Sequence, residues 1–305
     1  MEKNLAPIIL FVYNRLEHTK KTIEALKKNH LAEESELFIY SDGPKRDDDI
    51  IKVKAVRNYI HQVEGFKQIN IREREKNYGL AQSVVLGVNE VISQYGKVIV
   101  LEDDLITDNN FLTYMNYGLN KYQKDSQVYI ITGYSYLKKG LENGETYFLK
   151  ISTSWSWGTW KDRWQKYDAA CEGWTVLKRD RRLRRKFDYD YSYPYYDLLK
   201  SQMTDEKINS WAIKWYWTIF KNEGLTLYPP ISLVNNEGFD GSGEHGAKAK
   251  MKKNMSDLSV NDIQREWKFD TDVLEQRKMR KKVAKAIWQQ TVYIEKRRII
   301  KDILG

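Results

Sequence analysis

The sequence predicts an α/β fold built on a mostly parallel sheet, because two kinds of segment alternate over its first 135 residues. Short, continuously apolar runs are followed by longer stretches whose apolar residues have helical spacing, and the connections are short. Repeated strand–helix units of this kind form a sheet covered by helices on both faces. Ligands of such sheets bind at the carboxyl ends of the strands.

Four strands and three helices are expected in this region. Pro7–Tyr13 is apolar throughout, as a buried parallel strand should be. The elements after it are a helix at Glu17–Lys28, a strand at Leu37–Tyr40, a helix at Ile51–Val63, a strand at Gln68–Arg72, a helix at Leu80–Ser93 and a strand at Lys97–Leu101. Polar side chains follow three of these strands, at Asp42, Asn77 and Glu102–Asp104, so we expect them to share one edge of the sheet.

The middle of the chain is rich in aromatic residues. Eight of the ten tryptophans lie between Trp155 and Trp217, and five tyrosines lie between Tyr189 and Tyr196. These side chains form either a second packed layer or the lining of a groove that binds sugar rings, whose C–H faces pack on aromatic rings. Both interpretations fit the composition.

The net charge of +9 is concentrated in two segments. Lys178–Lys186 holds seven basic residues and one acidic residue, and residues 251–305 hold fourteen basic and eight acidic residues. Such runs form solvated helix faces or dock on an anionic partner such as phospholipid, a phosphorylated substrate or nucleic acid. The tail also has the pattern of an interfacial helix, with apolar residues among basic ones at Trp267, Ile287, Trp288, Val292 and Ile299.

Other features of the composition restrict the class of protein. Cys171 is the single cysteine, which excludes an intrachain disulfide framework and a cysteine-rich zinc site. The longest apolar runs are far shorter than the roughly 20 residues of a spanning helix, and no signal peptide is recognisable. We therefore expect a cytoplasmic protein, and the basic tail would allow peripheral contact with the inner face of a membrane.

Three consecutive acids follow the fourth predicted strand, at Glu102, Asp103 and Asp104. Such a cluster at the end of a buried strand is unfavourable unless a cation or a set of hydrogen bonds occupies it. Mg²⁺ and Mn²⁺ bind carboxylate oxygens and commonly share their remaining positions with substrate phosphates. The triplet is therefore either a metal–diphosphate site or a solvated acidic turn.

In its context, the stretch Lys97–Leu105 resembles the DxD-type signature of GT-A-fold glycosyltransferases, and in particular bacterial sugar transferases related to the Golgi N-acetylglucosaminyltransferase of N-glycan synthesis. The resemblance covers roughly residues 7 to 246. It implies that Arg15 contacts the nucleotide, that Asp42 reads the uracil, and that Asn77 and Gly79 lie beside the nucleotide. Within the triplet it implies that Glu102 and Asp103 bind the sugar and ribose and that Asp104 binds the metal.

Two later motifs continue the resemblance. Trp157 and Gly158 match a glycine-containing turn under the donor sugar, and His245 lies in a glycine-rich segment where the family closes a loop over the pyrophosphate. The chain departs from the family at Ser210–Trp215, where a catalytic carboxylate is expected and no acid is present. The candidate bases are Asp205 and Glu206, which we favour, and Asp240.

The resulting prediction is a metal-dependent, inverting glycosyltransferase using Mn²⁺ or Mg²⁺ and a nucleotide-diphosphate sugar, expected to be a UDP-sugar. Its acceptor would be a lipid-linked or protein-linked saccharide of a bacterial surface glycan. Residues 1–135 would form the nucleotide-sugar-binding half, 136–250 the acceptor and catalytic half of the same domain, and 251–305 a basic helical extension. The alternative is a non-catalytic module that binds RNA or a membrane through the two basic segments. For the enzyme, no nucleic-acid partner is expected.

Overall fold

A computed structural model describes residues 4–137, 141, 144–205, 209–240 and 267–304 of the 305-residue chain. The strands are β1 (Ile8–Val12), β2 (Glu36–Ser41), β3 (Gln68–Glu73), β4 (Lys97–Glu102), β5 (Leu105–Thr107), β6 (Val128–Thr132), β7 (Tyr147–Leu149), β8 (Trp157–Trp160), β9 (Leu225–Tyr228) and β10 (Val234–Asn236). The helices are α1 (Leu16–Lys27), α2 (Asp47–Ile60), α3 (Gly79–Tyr95), α4 (Phe111–Lys121), α5 (Lys161–Trp164), α6 (Val176–Arg179), α7 (Arg181–Phe187), α8 (Tyr195–Thr204), α9 (Trp211–Lys221) and α10 (Arg277–Leu304). A 3₁₀ turn occupies Gly238–Asp240.

Eight of these strands form one sheet in the order β3-β2-β1-β4-β8-β6-β9-β7. The first four are parallel to one another, and β9 is parallel to β6. Two strands run the other way: β8, between β4 and β6, and the edge strand β7. The sheet is therefore mostly parallel and carries helices on both faces, which confirms the predicted α/β class and is consistent with the GT-A fold.

Successive side chains of the central strands point to opposite faces of the sheet. In β1, Ile8, Leu10 and Val12 belong to one apolar cluster, whereas Ile9 and Phe11 belong to another. Helices α1, α2 and α4 supply the first cluster, and α3 and α9 supply the second. Every residue of β1 is thus buried on one side or the other, which explains why its sequence is apolar throughout.

The predicted helices and strands up to residue 102 are all present, with ends that differ by a few residues. The largest difference is in α2, which begins at Asp47 rather than Ile51. Its first turn contains Asp47, Asp48 and Asp49. Acids in the first turn interact favourably with the positive end of the helix dipole, so the acidic run belongs to the helix.

A second, two-stranded sheet joins two distant parts of the chain. β5, directly after the acidic triplet, pairs antiparallel with β10, with Leu105 opposite Asn236. The Glu237 amide also donates to the Asp104 carbonyl oxygen at 2.9 Å. The 3₁₀ turn that follows β10 is thereby held against the triplet.

Strands of both predicted halves lie in one sheet, and the helix of the predicted extension packs against the second half. β7, β8 and β9, from the second part, lie in the same sheet as β1–β4. On α10, Met279, Val283 and Ile287 are buried in a third apolar cluster together with residues such as Tyr147 and Tyr216. The expectation that Ile287 faces a membrane is wrong, because this side chain packs against the rest of the protein.

Two other apolar residues of the tail have different environments. Trp267 packs against the first cluster, whereas Trp288 is 54% exposed. Among the described residues, no helix has the length and apolarity needed to cross a bilayer.

Candidate active site

A cavity of about 610 Å³ opens at the carboxyl ends of β1, β2 and β4. Its walls come from both halves of the chain, because the segment before β8, the start of α9 and the 3₁₀ turn all face it. Seven of the residues singled out from the sequence line it: Arg15, Asp42, Asn77, Gly79, Glu102, Asp103 and Asp104. Asp42, Asn77 and Glu102–Asp104, which were expected to share one edge of the sheet, therefore face the same cavity.

Arg15 is the positive charge that faces the acidic triplet. It precedes α1, with a backbone outside the helical region, so its side chain is free to turn across the ends of β1 and β4. Its guanidinium donates to both oxygens of Asp103 and, from Nη2, to Asp104 Oδ2 at 2.9 Å. Arg15 Nη1 is buried and has no hydrogen-bond partner within the described residues. The guanidinium therefore retains one donor for a bound anion.

Burial and mutual repulsion govern the protonation of the triplet. Desolvation raises the pKa of Glu102 above its ordinary value, and the charges of Asp104 and Asp103 raise it further, whereas Arg15 opposes the shift. Desolvation also raises the pKa of Asp103, although the hydrogen bonds from Arg15 oppose it. For Arg15, burial lowers the pKa but the two aspartates outweigh burial and raise it. Three carboxyl groups thus face one arginine, and a bound cation would stabilise their ionised forms, which burial and mutual repulsion disfavour.

Asp104 is in close contact with the turn after β10. A Cβ atom built on Gly238 would overlap Asp104 Oδ2, and Gly238 itself is fixed by its amide, which donates to Asn236 Oδ1 at 2.7 Å. A side chain at position 238 would thus occupy the space of the Asp104 carboxylate. The absence of a side chain at this position allows the turn to approach the triplet.

Asp42 fastens the start of α3 to the end of β2. Its carboxylate accepts hydrogen bonds from the Tyr78 amide at 3.0 and 3.1 Å and from the Gly79 amide at 2.9 Å. Asn77 Nδ2 donates to the Gly43 carbonyl oxygen at 2.8 Å, which closes the same loop. Gly79 has a φ of +73°, a conformation that other residues adopt at a cost. Asp42 thus holds this loop in place and also lines the cavity itself.

Sequence reasoning missed a polar network beside Asp42. Asp49, in the first turn of α2, accepts from the Tyr13 hydroxyl at 3.0 Å and from Asn14 Nδ2 at 2.9 Å, and all three residues line the cavity. Burial and the neighbouring Asp49 carboxylate raise the pKa of Tyr13 to about 12, so the phenol stays protonated and can donate at neutral pH. In the sequence, Asp49 is indistinguishable from the two exposed acids before it.

The opposite wall is aromatic. Trp155 and Phe239 line the cavity and meet edge to face, with ring centroids 5.5 Å apart, and Trp211 lies at the start of α9. Trp157 and Gly158, predicted to lie beside the donor sugar, belong instead to β8 inside the sheet. Trp157 is 1% exposed and stacks on Trp211, so these two residues support the cavity wall and are not part of its surface.

The candidate bases occupy different positions. Asp205 is exposed at the end of α8, accepts from the Thr204 hydroxyl at 2.8 Å and does not line the cavity. Asp240 directly follows the cavity-lining Phe239, and its Oδ2 lies 3.2 Å from His18 Nε2. Glu206 and His245 lie outside the described residues. Of the three predicted bases, Asp240 is thus the described one that adjoins the cavity.

The triplet suits a metal that is shared with a substrate. No group of three or more histidine, cysteine, aspartate or glutamate side chains among the described residues is arranged to hold a metal ion by itself. Mg²⁺ and Mn²⁺, however, bind through one or two carboxylates when substrate phosphates supply the other oxygens. Asp104, buried at the cavity wall with an excess of negative charge around it, fits a metal bound in this way.

Three solved structures resemble the chain weakly. The crystal structure of TarS from S. aureus is 14% identical to this chain, with a TM-score of 0.31 and a match over 42% of this chain. The crystal structure of S. aureus TarS 1-349 is 13% identical, with a TM-score of 0.42 and a match over 75% of this chain. The matched regions are 21% and 58% of those two chains, so this chain spans about a fifth of the longer one. The mannosyltransferase PcManGT from Pyrobaculum calidifontis, in complex with GDP-Man and Mn²⁺, has 11% identity and a TM-score of 0.39, covering 70% of this chain and 73% of that chain. TM-scores this low do not support an argument about function.

The sequence itself identifies the family. No curated protein matches the chain. The model of glycosyl transferase family 2 matches residues 8–181, which is more than half of the chain and includes β1–β4, Arg15, Asp42 and the triplet. The chain therefore belongs to glycosyl transferase family 2.

Proposed function

We propose that the protein is a metal-dependent glycosyltransferase, which transfers a sugar from a UDP-sugar to a glycan acceptor with inversion at the anomeric carbon. The acceptor is a lipid-linked or protein-linked saccharide of a bacterial surface glycan, presented to a cytoplasmic enzyme at the inner face of the membrane. The motif resemblance is the basis for proposing inversion, a UDP-sugar donor and a relation to the Golgi N-acetylglucosaminyltransferase. The family makes the non-catalytic RNA- or membrane-binding module the weaker alternative.

One observation carries the proposal: an under-neutralised acidic triplet and an arginine with a spare donor face a cavity of about 610 Å³. Ligand cavities of a few hundred to a thousand Å³ accommodate molecules of the size of a sugar nucleotide. The polar network around Asp42 and Asp49 suits a nucleoside, and the triplet suits a metal-bound diphosphate. The aromatic wall at Trp155 suits a sugar ring.

Each part of the cavity then has a role in the reaction. Asp104, together with phosphate oxygens of the donor, would hold Mn²⁺ or Mg²⁺, which neutralises charge on a diphosphate leaving group. Arg15 holds Asp103 and Asp104 in place and directs Nη1 at the diphosphate. Asp42 fixes the loop at Asn77–Gly79 and accepts a hydrogen bond from the base.

A carboxylate must also accept the proton of the acceptor hydroxyl as that oxygen attacks the anomeric carbon. Asp240 is the candidate base that adjoins the cavity, and Asp205 would need to move to reach it. Glu206 stays a candidate from the sequence alone. We therefore now favour Asp240, which reverses the preference drawn from the sequence.

Donor hydrolysis by the purified full chain tests the proposal. UDP-, GDP-, dTDP- and CMP-sugars are incubated with Mn²⁺, with Mg²⁺ or with a chelator, and release of the nucleotide is measured. We expect hydrolysis of a UDP-sugar that requires the metal and is lost in Asp104→Asn but not in the control Glu33→Gln, which removes an exposed acid. Equal hydrolysis with the chelator would refute the metal, and preference for another nucleotide would refute UDP.

A further inference from the structure

The two basic segments, distant in the sequence, lie side by side in the structure. The first, Lys178–Lys186, extends over α6 and α7, and the part of the second from Arg277 onward lies on α10. Asp190, just after α7, accepts from Arg185 Nε at 3.2 Å and from Arg280 Nε at 2.8 Å. A single carboxylate therefore bridges the two segments, while basic side chains on both, including Arg182 and Lys281, stay exposed.

The loop beside this bridge has an unusual backbone that directs an aromatic ring outward. Tyr189, Asp190 and Tyr191 have φ values of 48°, 59° and 61°, which are unfavourable for residues other than glycine. Such strain persists only where surrounding contacts hold it, here the two arginines on Asp190 and the Tyr196 amide, which donates to Asp188 at 2.7 Å. Tyr189 is buried, whereas Tyr191 is 55% exposed.

α10 presents a second exposed ring next to the loop. Thr291 Oγ1 donates to the Ser192 carbonyl oxygen at 3.2 Å, so α10 follows the loop from Arg280 to Thr291. Arg277, Lys281 and Trp288 are spaced i, i+4 and i+11, which at about 100° per residue places them within about 40° of one another on the helix. All three are exposed, and Trp288 is 54% exposed although Ile287 beside it is buried.

We infer that this surface docks the enzyme on an anionic lipid bilayer. We call it the basic–aromatic face and define it by Arg182, Arg185, Tyr191, Arg277, Lys281 and Trp288. Tyrosine and tryptophan are enriched at the membrane–water interface, and nearby lysine and arginine side chains are attracted to acidic headgroups. The charge complementarity favours anionic lipid over a neutral surface. The inference deepens the proposed function, since docking would bring the cavity to a membrane-linked acceptor, but docking itself can be measured without any donor.

Flotation of the full chain with vesicles tests the inference. We expect binding to vesicles of phosphatidylcholine mixed with phosphatidylglycerol, little binding to phosphatidylcholine alone, and weakening by salt. Trp288→Ser should weaken binding about tenfold, the scale of an apolar side chain leaving the interface. Lys281→Gln should weaken it about fivefold, the scale of one basic residue near an anionic surface.

Two exposed residues of α2 supply matched controls. Ile51→Ser removes an apolar side chain that is 81% exposed, and Lys54→Gln removes an exposed charge; both should bind vesicles as the wild type does. Donor hydrolysis in solution should be unchanged in all four variants. Loss of vesicle binding in Trp288→Ser and Lys281→Gln, with normal donor hydrolysis, supports docking through the basic–aromatic face. A wild type that binds vesicles but hydrolyses no donor would contradict the proposed function and leave the docking inference intact.

Three results would overturn the inference. The first is a wild type that does not float with anionic vesicles. The second is that Trp288→Ser and Lys281→Gln bind these vesicles as tightly as Ile51→Ser and Lys54→Gln do. The third is that the wild type binds single-stranded RNA but not lipid, and that Lys281→Gln loses the RNA binding. The last result would assign the face to nucleic acid.

Discussion

Replacing Gly238 with alanine should displace the Asp104 carboxylate while leaving the fold intact. A Cβ atom at this position would overlap Asp104 Oδ2 and lie 2.9 Å from Asp104 Cγ and 3.1 Å from Asn236 Oδ1. Real Cβ atoms essentially never come closer than 3.0 Å to another heavy atom, so the carboxylate or the turn must move by roughly 1 Å. A catalytic group misplaced by about 1 Å can cost on the order of a hundredfold in rate.

Donor hydrolysis measured against Mn²⁺ concentration is the assay for this variant. We expect turnover to fall about a hundredfold and the Mn²⁺ requirement to rise, because the displaced side chain is the proposed metal ligand. Overpacking at one site destabilises a protein by about 1–3 kcal/mol, which thermal unfolding would detect without loss of the folded state.

Gly96→Ala is the matched control. Gly96 ends α3 with a φ of +76°, and a Cβ there would meet nothing within 4 Å. The change should destabilise the fold by about 1 kcal/mol through backbone strain and leave the metal response unchanged. If Gly238→Ala keeps normal turnover and a normal Mn²⁺ requirement, the reasoning about Asp104 is refuted.

Four further changes test other parts of the site and fold. Asp104→Asn keeps the side-chain shape but removes its charge, so hydrolysis should fall at least about a hundredfold in limiting Mn²⁺; full activity there would exclude Asp104 as the ligand. Asp42→Asn should weaken donor binding, measured by calorimetry, and an unchanged affinity would exclude this carboxylate from the nucleotide site. Asp240→Asn should abolish transfer while donor binding persists, and the same pattern in Asp205→Asn instead would restore the original choice of base. Ile287→Ala, in the buried face of α10, should destabilise the protein by about 2–5 kcal/mol in denaturant unfolding; a loss below about 0.5 kcal/mol would contradict its place in the core.

The sequence best predicted the elements whose pattern of apolar residues extends over many positions. Apolar runs predicted β1 and β4, because central strands of a parallel sheet are buried on both faces, and helical spacing predicted α1–α3. The expectation that Asp42, Asn77 and Glu102–Asp104 would meet followed from the same topology, since the carboxyl ends of parallel strands share an edge. These residues line one cavity.

The remaining parts of the site depend on pairing between distant short segments. The turn at Gly238 reaches Asp104 only through β5 and β10, each of three residues, and such short strands carry no periodic signal. Asp49 lines the cavity because it lies in the first turn of α2, and the sequence does not distinguish it from Asp47 and Asp48 in the same turn. The buried face of α10 was recognisable in principle, because Met279, Val283 and Ile287 recur every four residues among the basic side chains.

Calorimetric titration of the protein with a UDP-sugar, in the presence and absence of Mn²⁺, tests the central claim most directly. The account predicts binding that depends on Mn²⁺, is lost in Asp104→Asn and is retained in Glu33→Gln. Binding of equal affinity without any divalent metal, or the same Mn²⁺-dependent affinity in Asp104→Asn, would contradict it.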